Sequence, residues 1–152
     1  MDISVVIPAL NEEKTIAASL TALMPLQPHQ VIVVDGGSTD RTREISAQMG
    51  AVVTTGAPGR ARQMNCGAGQ ATGDILLFLH ADTRLPPGAF DDIVAALQDR
   101  RYLGGRFDVD LDGDHWLLKV IGAMINQRSR ITKVATGDQL AEPLAGGRDV
   151  LR

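Results

Sequence analysis

His80 and Asp82 stand at the end of a run of five apolar residues, Ile75-Leu76-Leu77-Phe78-Leu79. Gly73-Asp74 precedes the run and Pro86-Pro87-Gly88 follows it, so it reads as a strand buried on both faces of a parallel sheet. Such a strand delivers its last side chains to the carboxyl edge of the sheet, where open α/β sheets take their ligands. His80 and Asp82 are therefore candidate site residues. The plainer reading of Asp82 is a turn cap, because aspartate bonds readily to nearby backbone groups.

Two further strand ends carry carboxylates and amides, residues 8–13 after the first strand and residues 35–40 after the second. In a parallel sheet all three ends lie at one edge. A crevice lined by acids repels a diphosphate, but it can hold one through Mg²⁺ or Mn²⁺, which accept one or two carboxylates and complete their shells with phosphate and water. Asp82 is the best ligand candidate. Arg60 and Arg62, at the start of a helix, have the fork geometry for phosphate oxygens, and the alternative for both is a solvated helix face. Asp35 has the position from which α/β nucleotide folds hold a ribose or a base edge. No G-x-G-x-x-G follows the first strand and no Walker A sequence occurs, which argues against a dinucleotide dehydrogenase and a P-loop enzyme.

The elements that must position these residues follow a βαβαβ pattern. Residues 3–7 form a β-branched run that Pro8 is expected to stop. Asn11 is a candidate N-cap, with Glu12 and Glu13 in the first turn of a helix whose Ile16, Leu20 and Leu23 share one face and which ends before Pro25. Residues 31–34 form the second strand, after which Gly36 and Gly37 permit a tight turn and Ser38, Thr39 or Asp40 can cap a helix carrying Ile45 and Met49 inward. A short strand over residues 51–54 leads to a helix over residues 60–71, where Gly67 and Gly69 each cost about 1 kcal/mol against alanine and so are retained for something other than propensity. After the strand ending at His80 comes a helix with Phe90, Ile93, Val94 and Leu97 on its apolar face.

From Gly104 the period becomes two: Phe107, Val109 and Leu111 alternate with charged residues, as in a half-exposed edge or antiparallel strand. A last amphipathic helix is predicted with Leu117, Val120, Ile121, Met124 and Ile125 inward, and the pattern fades beyond Gln139. There is no internal repeat.

The 152 residues, 44% of them hydrophobic and 22% charged, suit one ordinary globular domain. The net charge of −3 offers no global field for nucleic acid or an anionic membrane, so any anionic ligand must be held by local groups. One cysteine, Cys66, excludes an intramolecular disulfide and a cysteine-rich zinc site, and among small residues it reads as a buried structural thiol. The chain opens on strand-like sequence, from which no secretory leader is expected, and its longest mostly apolar stretch, residues 116–125, is too short to span a bilayer. A cytoplasmic protein is the expectation, one that could dimerise through an uncovered apolar face.

Val6-Ile7-Pro8-Ala9-Leu10-Asn11-Glu12-Glu13, Val33-Val34-Asp35-Gly36-Gly37-Ser38-Thr39-Asp40 and the strand ending in His80-Ala81-Asp82 resemble the successive nucleotide-binding motifs of family 2 inverting glycosyltransferases of the GT-A fold. More narrowly, Gly59-Arg60-Ala61-Arg62-Gln63-Met64-Asn65 with Phe78-Leu79-His80-Ala81-Asp82-Thr83 is similar to the subgroup associated with radical SAM and selenium-related proteins. The resemblance covers roughly residues 2–139. It implies an α/β GT-A domain with a mostly parallel sheet over 1–139, a UDP- or GDP-linked sugar donor, Mg²⁺ or Mn²⁺, and an acceptor hydroxyl of unknown identity. By the same resemblance Pro8, Asn11 and Glu13 border the nucleotide and Asp35 faces the base or ribose. Ser38 and His80 join them on the nucleotide side, Arg60 approaches the diphosphate, and Asp82 binds the metal. The family's usual D-x-D appears as His80-Ala81-Asp82, which leaves one carboxylate.

The resemblance weakens over residues 140–152. Similar sequences continue into an apolar segment and a Glu-Asp pair that supplies the general base, and neither Glu142-Pro143 nor Arg148-Asp149 matches that context. Asp138 is the remaining candidate base, and its position suits acceptor-site structure equally. Two other readings stand beside the transferase: a truncated, inert nucleotide-binding module, and a nucleotidyltransferase, which would want a glycine-rich basic loop where this chain has Asn11-Glu12-Glu13.

Overall fold

Continuous apolar strands need cover on both sides, and helices on the two faces of the sheet supply it. In this computed structural model, which describes residues 1–98, 105, 107 and 141–143, the strands are β1 (Ile3–Ala9), β2 (Gln30–Asp35), β3 (Val52–Thr55), β4 (Ile75–Phe78) and β5 (Ala141–Pro143). Their order across the sheet is β3-β2-β1-β4-β5, with the first four parallel and β5 antiparallel to β4. The helices are α1 (Ile16–Leu23), α2 (Thr42–Gln48), α3 (Arg60–Ala68) and α4 (Ala89–Gln98), with a 3-10 turn at Met24–Leu26.

Strand side chains alternate between two clusters. Val5, Ile7, Val33, Leu77 and Leu79 meet Ile16, Leu20 and Leu23 of α1, with α2 and α4 packed at the margins of the same cluster. Val6, Ile32, Val34, Leu76 and Phe78 meet Met64 of α3 on the opposite face. This two-sided burial is why β1, β2 and β4 read as unbroken apolar runs rather than as alternating ones. The chain lays strands outward from β1 to β3, then crosses beneath the sheet through α3 to place β4 on the other side of β1. The direction reverses between β1 and β4, and such a switch point leaves a crevice beyond the carboxyl ends of the strands.

Pro8 sharpens that crevice. It does not end β1, which runs on to Ala9 and stays in register with β2 through Pro8↔Val34 and Ala9↔Asp35. Successive residues of β1 bond to alternate sides: Ala9 O accepts from Gly36 on the β2 side, and Val6 O accepts from Leu79 on the β4 side. Pro8 is the next residue to face β4, and it has no N–H to give. The β1–β4 pairing accordingly stops at Val6↔Phe78 while the β1–β2 pairing continues.

The small residues of α3 have separate explanations. A Cβ on Gly67 would overlap Val6 Cγ1 and come within 3.0 Å of Val34 Cγ2, so only glycine lets the helix lie this close to the sheet. Gly69 makes no such demand: it closes the C-terminus of α3 with φ −67°, and its added Cβ would meet nothing nearer than 3.6 Å. Cys66 is half-buried rather than fully buried, at the edge of the α3-side cluster.

Two local expectations change. The first helix begins at Ile16, not beside Asn11, because residues 12–16 form a turn in which Glu12 O accepts from both Thr15 and Ile16 N–H. Asn11 instead takes the left-handed backbone conformation at φ 57°, which asparagine tolerates better than most residues. Of the predicted strand at Phe107, Val109 and Leu111 only Phe107 is described, packed against the main cluster. The predicted helix over residues 117–125 and Asp138 lie outside the described residues. Among the described residues no helix is long and apolar enough to cross a membrane.

Candidate functional site

The crevice at the β1–β4 switch point is a cleft of ≈ 180 Å³. Pro8, Leu10 and Glu12 line it from the end of β1, Arg60 and Gln63 from the first turns of α3, and His80 and Asp82 from the end of β4. Pockets for whole drug-sized ligands run to about 300–1,000 Å³, so this cleft takes one polar portion of a larger molecule.

The His80-Ala81-Asp82 segment is held from below. Ser19, buried on the inner face of α1, donates its hydroxyl to Ala81 O at 2.6 Å, and Thr83 N–H closes a turn onto His80 O at 3.1 Å. Ala81 is buried in the core cluster, and His80 and Asp82 on either side of it line the cleft. His80 is half-buried and Asp82 exposed. The Asp82 carboxylate receives one long hydrogen bond, from Thr83 Oγ1 at 3.4 Å, which leaves acceptor capacity for a ligand.

Asn11, Glu13, Asp35 and Ser38 form a neighbouring structure with a different character. Asp35 is buried, and its carboxylate accepts the N–H groups of Gly37 at 3.1 Å and Ser38 at 3.1–3.2 Å, shaping the turn after β2. That turn and the start of α2 are bonded to the loop after β1 by six side-chain hydrogen bonds, one of them from Thr39 Oγ1 to Asn11 Oδ1 at 3.3 Å. Asn11 N–H donates to Ser38 Oγ and Asn11 Oδ1 accepts from Thr39 N–H, both at 2.9 Å. Glu12 N–H donates to Thr42 Oγ1, Glu13 N–H to Asp40 Oδ2, and Glu13 Oε2 accepts from Arg41 N–H. Of the residues that sequence reading assigned to a nucleotide, Asn11, Glu13 and Ser38 thus already join the two loops to each other and Asp35 shapes its own turn, while Glu12 rather than Glu13 reaches the cleft.

Asp40 centres this clasp. Partial burial opposes its charge, but hydrogen bonds from the Thr42 hydroxyl, Thr42 N–H and Glu13 N–H outweigh that and hold its carboxyl below the ordinary value of 3.8. A carboxyl depressed on folding stabilises the fold above its unfolded pKa, and the contribution is lost as pH falls through the folded value. Asp40→Asn is expected to lower the unfolding midpoint at neutral pH, with the gap from wild type closing as pH is taken below 3.8. Equal gaps at pH 7 and pH 3 in urea titrations would contradict this.

Gln63 and Ser19 were missed by sequence reading, although each left a signal. Ser19 lies three residues after Ile16 and beside Leu20 on the apolar stripe of α1, and Gln63 lies four before Gly67 on the face of α3 that approaches the sheet. A polar residue on an inward helical face asks for a buried partner.

The reversal of strand order, with charged loops gathered at the switch point, defines a doubly wound α/β domain with a crevice at its carboxyl edge, and solved structures place it among GT-A folds. Glucosyl-3-phosphoglycerate synthase from Mycobacterium tuberculosis in complex with phosphoglyceric acid superposes with a TM-score of 0.70 at 24% identity, covering 93% of this chain and 56% of that one. The same enzyme with Mn²⁺, UDP-glucose and phosphoglyceric acid gives 0.67 at 22% identity over equal shares. The chain belongs to glycosyl transferase family 2, whose model matches residues 4–143. A protein of Mycobacterium bovis named as an uncharacterized glycosyltransferase is 33% identical over 115 residues, 75% of this chain and 52% of the relative. The undecaprenyl-phosphate 4-deoxy-4-formamido-L-arabinose transferase of Serratia proteamaculans is 29% identical over 150 residues, 90% of this chain and 46% of that one. The chain therefore spans about half the length of these relatives.

Proposed function

We propose that this chain binds a nucleoside diphosphate sugar across the β1–β4 switch point, with a divalent cation, and transfers the sugar with inversion to an acceptor hydroxyl. The observation that carries the reading is that a carboxylate from β4 and a guanidinium from α3, Asp82 and Arg60, line one small cleft in a family 2 chain. A diphosphate uses both kinds of group, one through a bridging cation and the other by direct pairing. UDP is the favoured nucleotide because the solved relatives hold UDP or UDP-glucose with Mn²⁺ or Mg²⁺.

The residues present fit such a cation. Among the described residues no three His, Cys, Asp or Glu side chains converge on a metal-sized site. Asp82 with its open acceptor capacity matches the sparse protein ligation that Mg²⁺ accepts when phosphates and water fill the rest of its shell, and His80 stands beside it. When bound there, the cation would neutralise charge on the diphosphate leaving group. Arg60 would pair with the same diphosphate, and the clasped loops after β1 and β2, with Asn11, Glu13, Asp35 and Ser38, would wall the nucleoside end.

In the transfer itself the acceptor oxygen bonds to the anomeric carbon from the face opposite the departing diphosphate oxygen. The hydroxyl proton passes to a base, a role worth typically 10²–10⁴-fold. Asp138 is the proposed base or a part of the acceptor site.

Calorimetry with UDP and Mn²⁺, followed by an assay of UDP release from UDP-sugars, tests the reading. Binding that EDTA abolishes and release that an acceptor accelerates are the expected results. Pyrophosphate release from UTP and a sugar phosphate would replace the reading with a nucleotidyltransferase. Metal-dependent UDP binding with no turnover of any UDP-sugar would leave an inert binding module.

A further inference from the structure

Gln63 is 4% exposed, and α3 buries no other side chain with hydrogen-bonding amide or charged groups. Its Nε2 lies 2.9 Å from Ala9 O and 2.7 Å from Val34 O. Both neighbours are carbonyl oxygens, which only accept, so the carboxamide can sit only with its nitrogen toward them and both its hydrogens engaged. Ala9 is the last residue of β1, and Val34 precedes the final residue of β2. Ala9 O also accepts Gly36 N–H at 2.9 Å. One side chain on α3 thereby ties the ends of β1 and β2 together, beneath the turn that begins at Gly36. Glycine suits the first position of that turn: a Cβ on Gly36 would press on the Gln63 carboxamide at 3.1 Å.

The spacing along α3 connects this anchor to the cleft. Gly67, Gln63 and Arg60 fall at i, i−4 and i−7, one face of the helix. Gly67 seats the later turn against Val6 and Val34 by contact alone. Gln63 seats the earlier turn by directed bonds, and Arg60 is the next residue on that face, at the cleft.

We propose that Gln63 is a positioning residue that fixes Arg60 and the first turn of α3 over the cleft, so that ligand affinity depends on a side chain bonded only to backbone. The proposal rests on the reading of the cleft as a UDP–metal site. It specifies a dependence that neither the family match nor the solved relatives assign.

The test is a double-mutant cycle on UDP binding with Mn²⁺, using Gln63→Met and Arg60→Ala with circular dichroism and thermal melts on each variant. Gln63→Met is expected to weaken UDP about tenfold, the scale of one or two lost hydrogen bonds. In the Arg60→Ala background the same change is expected to cost under twofold, because its effect is exerted through Arg60. Gln63→Glu provides a second route should the methionine variant fail to fold. Its carboxyl, when protonated, donates one of the two bonds, and when ionised it faces two carbonyl oxygens with no hydrogen to give. The affinity of Gln63→Glu relative to wild type should therefore recover as pH falls from 7.5 to about 5.5. A fall in melting temperature with UDP affinity unchanged, or strictly additive losses in the cycle, would overturn the proposal. Wild-type protein that binds no UDP would remove the reading of the cleft instead, and this inference with it.

Discussion

Asp82→Ala is expected to abolish metal-dependent UDP binding and to lower any transfer rate roughly 10²–10³-fold, the range seen when one preorganised electrostatic stabiliser is removed. The fold should not notice the change. Asp82 is exposed and its recorded hydrogen bond is a long one from Thr83, so a loss outside about ±0.5 kcal/mol would be out of character for a surface position. The separation of the two effects makes the experiment informative. A matched melting curve with a lost Mn²⁺ dependence assigns Asp82 to the ligand, and an unchanged affinity assigns it to the turn that Thr83 closes on His80. Asp82→Glu should retain part of the affinity, since a carboxylate remains within reach. His80→Asp, which would restore two acids in the segment, is a useful companion for asking how much the single-carboxylate arrangement limits metal affinity.

The second large effect is structural. Gly67→Ala is expected to destabilise the chain by about 1–3 kcal/mol, as overpacking does in a tight interior, because the new Cβ would overlap Val6 Cγ1. For a chain of this size that is a fall of several degrees in melting temperature, at roughly 2–4 °C per kcal/mol. Val6→Ala in the Gly67→Ala background should return part of the loss, since it removes the atom that is struck. Gly69→Ala is the control. Its φ is −67° and its neighbours are 3.6 Å or more away, so relief of unfolded-chain entropy should leave it neutral or up to about 1 kcal/mol more stable. Equal losses at both positions would refute close approach as the reason for Gly67.

The sequence made β1, β2 and β4 legible because burial on both faces leaves little room for anything but apolar residues, and α1 was legible from the stripe of Ile16, Leu20 and Leu23. His80, Asp82, Arg60 and Pro8 could be brought to one edge because parallel strands share their direction, and they do line one cleft. The hydrogen bonds that hold that cleft were not legible. Gln63 reaches Ala9 across 54 residues of chain and Ser19 reaches Ala81 across 62, and no local periodicity encodes such partners. Asn11 shows the same limit in reverse. As a helix cap it satisfied every local rule, but its Oδ1 found Thr39 N–H 28 residues away and its backbone turned left-handed.

Pro8 has a consequence for the strand edge that borders the cleft. An unpaired stretch of strand is a template on which a passing peptide can add itself, gaining main-chain bonds with little regard for its side chains. Among the described residues the β4-facing side of β1 beyond Val6 is such a stretch, and the next donor it should display is missing, because the residue there is a proline. An extended polypeptide laid along that side would lack the N–H with which to begin its main-chain pairing. One ring at position 8 thus blunts an exposed strand edge at the mouth of the cleft.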